Sequence, residues 1–286
     1  MKRLIFSFLL LTALSACSKN GGDPASESEP DSGNQKEPVY AEYTLMTYNV
    51  GAFRKYEESL GHLSYQEVAG IISSVDADIC GLNETDWGYS RTYSDKQAEK
   101  LATELGSGWN SHFVFAYRTD YGNSLVWKNE LGLVFKFPRV SIPKTGEGEV
   151  RSMGAIEFED FVFCTTHLDH KSNDDRIAGV QIITDWVKKE FGGACKPVIL
   201  AGDLNCEPGS DPINELQKNW QQISPVVKSY PSDNPRKSID YILVYANDQA
   251  EKVIVDGGGV ITKEDNPVVA TASDHCPVWV KIKIEK

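Results

Sequence analysis

The chain reads as an α/β domain in which two sheets pack face to face with helices outside them, and three observations predict it. Apolar, β-branched and aromatic runs of strand length alternate with segments of helical period. Strand–helix–strand units occur at the start and in the middle with many strands between, the pattern of two sheets covered by outer helices. Several strands end in polar residues, so the chemistry is expected where elements end.

Taken in order, "EYTLMTYNV" is a strand, "SYQEVAGIISSV" sets Val68, Ile71, Ile72 and Val75 on one helical face, and "DADICGLNE" is a second strand. "SDKQAEKLATELG" is a helix with Ser94 as its cap and Gly106 as its stop. A long β region follows: "HFVFAYRT", "YGNSLVWK", "LGLVFKFPRV" and "RSMGAIEFEDFVFCTTHLD", with turn residues between the runs. "NDDRIAGVQIITDWVKKEF" is the longest helix, acids first and lysines near its end, as the helix dipole favours. After "PVILAGDLN" come a short helix about Asp211 to Trp220 and the strands "SIDYILVY", "KVIVDGGGV" and "SDHCPVWVKIKI".

Ahead of the domain stands "MKRLIFSFLLLTALSAC", two basic residues and an apolar run from Leu4 to Ala16, shorter than the ~20 residues that span a bilayer. It reads as a signal peptide over residues 1–16. "LSAC" resembles the lipobox of bacterial lipoproteins, which implies cleavage before Cys17 and its acylation. A membrane contact through this lipid anchor is then expected, in the cell envelope, at the outer membrane, facing periplasm or exterior. Residues 17–40 are Gly, Ser, Pro, Glu and Asp with little to bury and read as a tether, and residues 41–286 form one domain.

A net charge of −12 argues against a long nucleic-acid duplex as partner, because duplex binding rests on Lys and Arg replacing counterions. It leaves room for a small phosphorylated substrate held through a metal. With Cys17 assigned to the lipid, five of the six cysteines remain, so complete internal pairing is impossible. Cys80 and Cys164 fall in apolar strands as small hydrophobes, while Cys195, Cys206 and Cys276 lie in or near loops. No C-x-x-C occurs, which argues against structural zinc. A monomer is expected.

Single motifs have bland readings. In "VILAGDLNCEP", strand alternation sends Asp203 and Asn205 to one face, yet an isolated Asp-x-Asn is also an Asx turn. His275 alone reads as a turn residue and His167 as a core histidine. Asp240, inside the apolar "SIDYIL", needs a partner, and a histidine can supply one. In "HLDH", His167 and His170 are three apart on a strand and face opposite sides, against a two-zinc site; His170, His62 and His112 are assigned as surface or structural.

Together, "TYNV", "GLNE", "YGNS", "TTHLD", "AGDLN", "SIDYIL" and "SDHCPV" resemble the motif series of the endonuclease/exonuclease/phosphatase superfamily, from Thr47 to Val278. The resemblance implies a four-layer αββα sandwich of mostly antiparallel sheets and a divalent-metal-dependent phosphoesterase, with one or two Mg²⁺ or Mn²⁺ ions. It implies Glu84, Asn49 and Asp274 at the metal, and Asp203 orienting and deprotonating the attacking water with Asn205 beside it. It further implies Asp240 paired to the essential His275, and His167 on the scissile phosphate. These residue types suit phosphoester hydrolysis, which needs a hard cation, an oriented water and donors aimed at the non-bridging oxygens.

The substrate is expected to be a small, or lipid- or sugar-linked, phosphoester outside the cytoplasm, most simply a phosphodiester. A nuclease acting on DNA or RNA, and a non-catalytic binding lipoprotein, are the alternatives. The loop "TDWGYSRTYS" places Trp87, Tyr89 and Arg91 next to Glu84 as a stacking surface for the substrate. Asn123 is a further substrate contact, although the "LVWKNE" after "YGNS" departs from the Ser-Arg of many relatives. Arg54, Lys55, Arg236 and Lys237 are candidate phosphate-side charges.

Overall fold

The computed structural model describes residues 38–55, 61–248 and 250–286. The signal peptide, Cys17 and nearly all of the tether lie outside the described residues. At the centre of the first, six-stranded sheet, β1 (Tyr40–Asn49) pairs parallel with β2 (Ile79–Asp86) and antiparallel with β13 (Val278–Glu285). β12 (Val253–Val260) flanks β13, and β4 (Tyr121–Lys128) and then β3 (Trp109–Tyr117) flank β2. The seven-stranded sheet runs β10 (Trp220–Gln222), β11 (Asp240–Tyr245), β9 (Val198–Asp203), β8 (Val162–His167), β7 (Arg151–Phe158), β5 (Leu133–Lys136), with β6 (Val140–Ile142) also paired to β7. Its single parallel pair, β8 with β9, is joined by the long helix α3 (Asn173–Phe191).

Period-two alternation builds three apolar layers. Leu45, Val280 and Ile282 of the first sheet meet Phe163, Ile199 and Ile242 of the second. Met46 and Val126 turn the other way, onto α1 (Tyr65–Ser74) and α2 (Gln97–Leu105), where Val68, Ile71, Ile72 and Leu101 are fully buried. On the far side Val180, Ile183 and Val187 of α3, with Leu216 of α4 (Asp211–Leu216), cover Cys164, Leu200 and Leu243. The result is the αββα sandwich. Each such aliphatic side chain contributes about 1.5–3 kcal/mol by leaving water.

Two glycines permit the close approaches. A Cβ on Gly81 would sit 2.8 Å from Thr165 Oγ1 of the opposite sheet. One on Gly202, at φ +155°, would sit 1.9 Å from the Thr166 carbonyl oxygen. The "AGD" glycine is therefore required by the packing of β9 on β8.

Several local expectations change. Ser94 does not cap α2; it sits at φ 60° in the preceding turn, donating its N–H to Tyr89 O, and Lys96 stands at the cap position. Gly106 does end α2, its N–H reaching Ala102 O. α4 stops at Leu216, and Trp220 begins β10. The last strand starts only at Val278, leaving Asp274 and His275 in a loop after the short α5 (Val269–Ala272). Cys80, Cys164, Cys206 and Cys276 are free and buried. No helix among the described residues is long and apolar enough to cross a membrane.

Candidate active site

Strand register gathers the polar groups. Asp240 pairs with Asp203, Asp203 with His167, and Asn49 with Asn83, so both sheets end in polar residues at the same edge. On β9 the face carrying Ile199 and Ala201 between the sheets also carries Asp203, and on β11 the face carrying Ile242 carries Asp240. All of these residues are nearly excluded from water.

His275 is the hub. Its Nδ1 lies 2.9 Å from Asp240 Oδ2, and its Nε2 faces Asp203 Oδ2 at 3.6 Å and Asn49 Nδ2 at 3.5 Å. Burial alone would lower the imidazole pKa, but the carboxylates of Asp240 and Asp203 outweigh it and push it up to about 10. Burial, then the charge of Asp240, raises Asp203 above the ordinary carboxylate range, with His275 pulling the other way. This buried pair therefore holds a proton at neutral pH. Ser229, which sequence reasoning missed, donates its hydroxyl to the same Asp240 oxygen at 2.6 Å, and Tyr230 packs its ring on His275 at 4.8 Å.

Glu84 reaches the site by a bulge. The β2–β4 register shifts between Leu82 and Thr85, and Glu84 adopts φ 59°, a strained backbone for a non-glycine residue. Asn49 Nδ2 donates to Glu84 Oε1 and to Asp203 Oδ2, both at 3.1 Å. Its oxygen accepts the Gly51 N–H at 3.1 Å. Asn49, expected at the metal, thus presents its amide nitrogen and orients the two carboxylates.

Asn205 arrives by a different route from the one expected. β9 ends at Asp203, and Asn205 sits at φ 51° with its N–H on Asp203 Oδ1 at 2.8 Å: an Asx turn, not strand alternation, aims its amide. That amide lies 2.8 Å from His167 Nε2 and 3.1 Å from Leu168 O. Arg151 Nη1 stands 3.2 Å from His167 Nδ1. Both ring nitrogens of His167 therefore face N–H donors, the Arg151 guanidinium at Nδ1 and the Asn205 amide at Nε2, and the neutral ring accepts at the nitrogen that carries no proton. Burial, then the Arg151 charge, holds the His167 pKa well below the usual value, so this ring stays neutral. His170, expected to be surface or structural, also takes Arg151, Nη2 to Nδ1 at 3.2 Å, because the chain has left the strand after His167.

These groups line a cavity of ≈ 750 Å³ with Glu84, Asp203, Asn205, His167, His275 and Asp274 on its walls. Arg151, Arg176 and Lys237 bring positive charge to the same cavity. Lys55 instead donates to Ser232 Oγ at 2.7 Å. Asn123 does not line this cavity: it is buried, accepts Asn83 Nδ2 at 3.0 Å and donates to Ser152 O at 3.0 Å. Trp87 stacks on Phe113 at 5.2 Å under Lys96, on another side of the loop. Tyr89 and Arg91 line an adjoining cavity. Asn83, whose oxygen accepts the Asp203 N–H at 2.9 Å, also donates to Thr166 O at 2.9 Å and so ties β2 to the second sheet beneath the site. The polar "GLNE" was the available signal for it.

The donor set suits a hard cation. Glu84 and Asp274 carry carboxylates on the cavity wall beside Asp203, oxygen ligands of the kind Mg²⁺ or Mn²⁺ takes while keeping waters. Asp203, Asp240 and His275 also offer atoms within 4.8 Å of one another, but Asp240 and His275 are already hydrogen-bonded together. A dication held by Glu84 and Asp274 would add positive charge beside the Asp203 carboxylate, which already has His275 facing it.

An αββα sandwich with oxygen donors, a paired histidine and an Asx-turned amide at one edge defines the class of phosphoester hydrolases. The Endonuclease/Exonuclease/phosphatase family model matches residues 46–275, and the chain belongs to that family. Among solved structures it is similar to a family member from Bacteroides thetaiotaomicron, 16% identical, TM-score 0.68, covering 87% of this chain and 97% of that one. A mannosyl-6-phosphatase from Bacteroides thetaiotaomicron VPI-5482 is 18% identical with TM-score 0.63, covering 84% and 99%. The catalytic domain of human Nocturnin is 17% identical with TM-score 0.63, covering 86% and 97%. No curated protein sequence is recognisably similar to the chain.

Proposed function

We propose that the protein is a divalent-metal-dependent phosphoesterase that hydrolyses a P–O bond of a small, extracytoplasmic phosphoester, most simply a phosphodiester. Juxtaposition of Glu84, Asp203 and His275 around the Asn49 amide carries this reading. Glu84, with Asp274, would hold the ion, which when bound neutralises charge developing on the phosphoryl oxygens. Asp203 orients the attacking water and accepts its proton, a role its raised proton affinity suits. His275, fixed by Asp240 and Ser229, donates Nε2–H to the phosphoryl group. The Asn205 amide and the Arg151 guanidinium supply further donors from the opposite wall, with His167 between them. Paired charges and a net charge of −12 favour small substrates over long nucleic acid.

The test is turnover of a panel of phosphodiesters and monoesters, a 4-nitrophenyl ester among them, with Mg²⁺ and then with chelator. Activity that needs the metal and falls by about 10²–10⁴ in Asp203→Asn and His275→Ala is expected. Full activity in both variants would mean that the chemistry lies elsewhere.

A further inference from the structure

A second cavity of ≈ 560 Å³ adjoins the first and shares Glu84, Tyr121 and Glu149 with it. None of the proton transfers above uses its remaining walls. Three of their four cations are paired, Lys144 being the fourth. Arg91 clamps Asp86 with two contacts of 2.8 Å, Arg118 meets Asp120 at 2.8 Å, and Lys171 lies 3.5 Å from Glu149. The Tyr89 ring is taken by Arg91 and Arg118, each 4.9 Å from its centroid, which removes it as a stacking platform. Tyr117, at the end of β3, is 58% exposed and offers its ring to the cavity.

We propose that this cavity seats the sugar of a sugar-linked phosphoester whose phosphoryl group occupies the first cavity; the inference rests on the hydrolytic reading above. A second phosphate would find Arg91, Arg118 and Lys171 already neutralised and would meet Lys144 only alongside the carboxylates of Glu84 and Glu147 on the same walls. An acyl chain would need apolar walls, and these are charged. A nucleobase needs a slot between two free faces, and Tyr117 supplies one. A neutral polyol matches what is present. Paired guanidiniums keep N–H donors and paired carboxylates keep lone pairs for hydroxyl groups, while one aromatic face packs against the C–H side of a pyranose. Glu84 and Tyr121 on the shared wall set the sugar next to the reacting phosphorus.

Two measurements on the whole mature chain test this. In the first, kcat/KM is measured with Mg²⁺ for hexose 6-phosphates and their methyl diesters, and for 4-nitrophenyl phosphate and its methyl diester, in the wild type, Tyr117→Ala and Arg118→Ala. The ratio of sugar ester to aryl ester is expected to fall at least tenfold in each variant, chiefly through KM. In the second, saturation-transfer NMR with methyl glucoside, galactoside and mannoside in metal-free buffer is expected to show contact with the wild type that Tyr117→Ala loses. Turnover of the aryl esters with an unchanged ratio in both variants overturns the sugar assignment and leaves hydrolysis standing. Glycoside contact without turnover of any ester upholds the cavity and removes the hydrolytic reading. Absence of contact with all three glycosides overturns the proposal.

Discussion

Asn83→Ala tests whether the site is held by a cross-sheet amide or only by apolar packing. The side chain is fully buried and makes three hydrogen bonds: it accepts from Asp203 N–H and donates to Thr166 O and Asn123 Oδ1, at 2.9, 2.9 and 3.0 Å. Truncation orphans all three partners, and each buried orphan costs about 1–3 kcal/mol. Water entering the space left by the amide recovers part of that, so a loss of about 3–5 kcal/mol is expected. With a urea m-value of about 3 kcal/mol/M, the midpoint should fall by about 1–1.7 M at unchanged m. Because Asn83 and Asn123 bond to each other, Asn83→Ala/Asn123→Ala should be less destabilised than the sum of the single variants, by about 0.5–3 kcal/mol. Urea titrations followed by tryptophan fluorescence supply both numbers. A midpoint shift below about 0.3 M, or strict additivity, would refute the idea that this amide braces the site.

Further expectations follow from the same geometry. Asp240→Asn removes the carboxylate that fixes His275 and should lower kcat by about 10²–10⁴ while circular dichroism stays unchanged. Ser229→Ala strips a 2.6 Å donor from Asp240 and should cost about 1.5–3 kcal/mol of stability by thermal melting. Magnesium at about ten times its Kd should add about 1.4 kcal/mol, a rise in Tm of about 3–6 °C that calorimetry would show and Glu84→Gln would abolish. His275 binds its proton more tightly folded than unfolded, so its contribution is complete below an unfolded pKa near 6.5 and disappears as the pH rises through about 10. Metal-free Tm should therefore fall between pH 7 and 10, with a flatter slope in Asp240→Asn.

Strand residues were legible because a two-residue period fixes both burial and direction. Ile199, Ala201 and Asp203, or Ile242 and Asp240, could be read as one face with a polar end. Residues that arrive through positive-φ turns were harder. Glu84 needs a bulge that only motif context signals, and Asn205 needs an Asx turn where strand alternation points to the right residue by the wrong route. Partners contributed from another strand's first residue or from a loop had no local signature: Arg151 opens β7, and Ser229 lies eleven residues before the aspartate it serves. Asn123 shows the converse error. Its place in a motif suggests a substrate contact, while the structure spends both halves of its amide on Asn83 and Ser152.

The direction of β1 has a mechanical corollary. Its last residue, Asn49, stands among the reactive groups, and its first, Tyr40, is at the far end of this ten-residue strand, about 30 Å away at ~3.3 Å per residue. Whatever pulls on the amino-terminal side therefore grips the pole opposite the mouth.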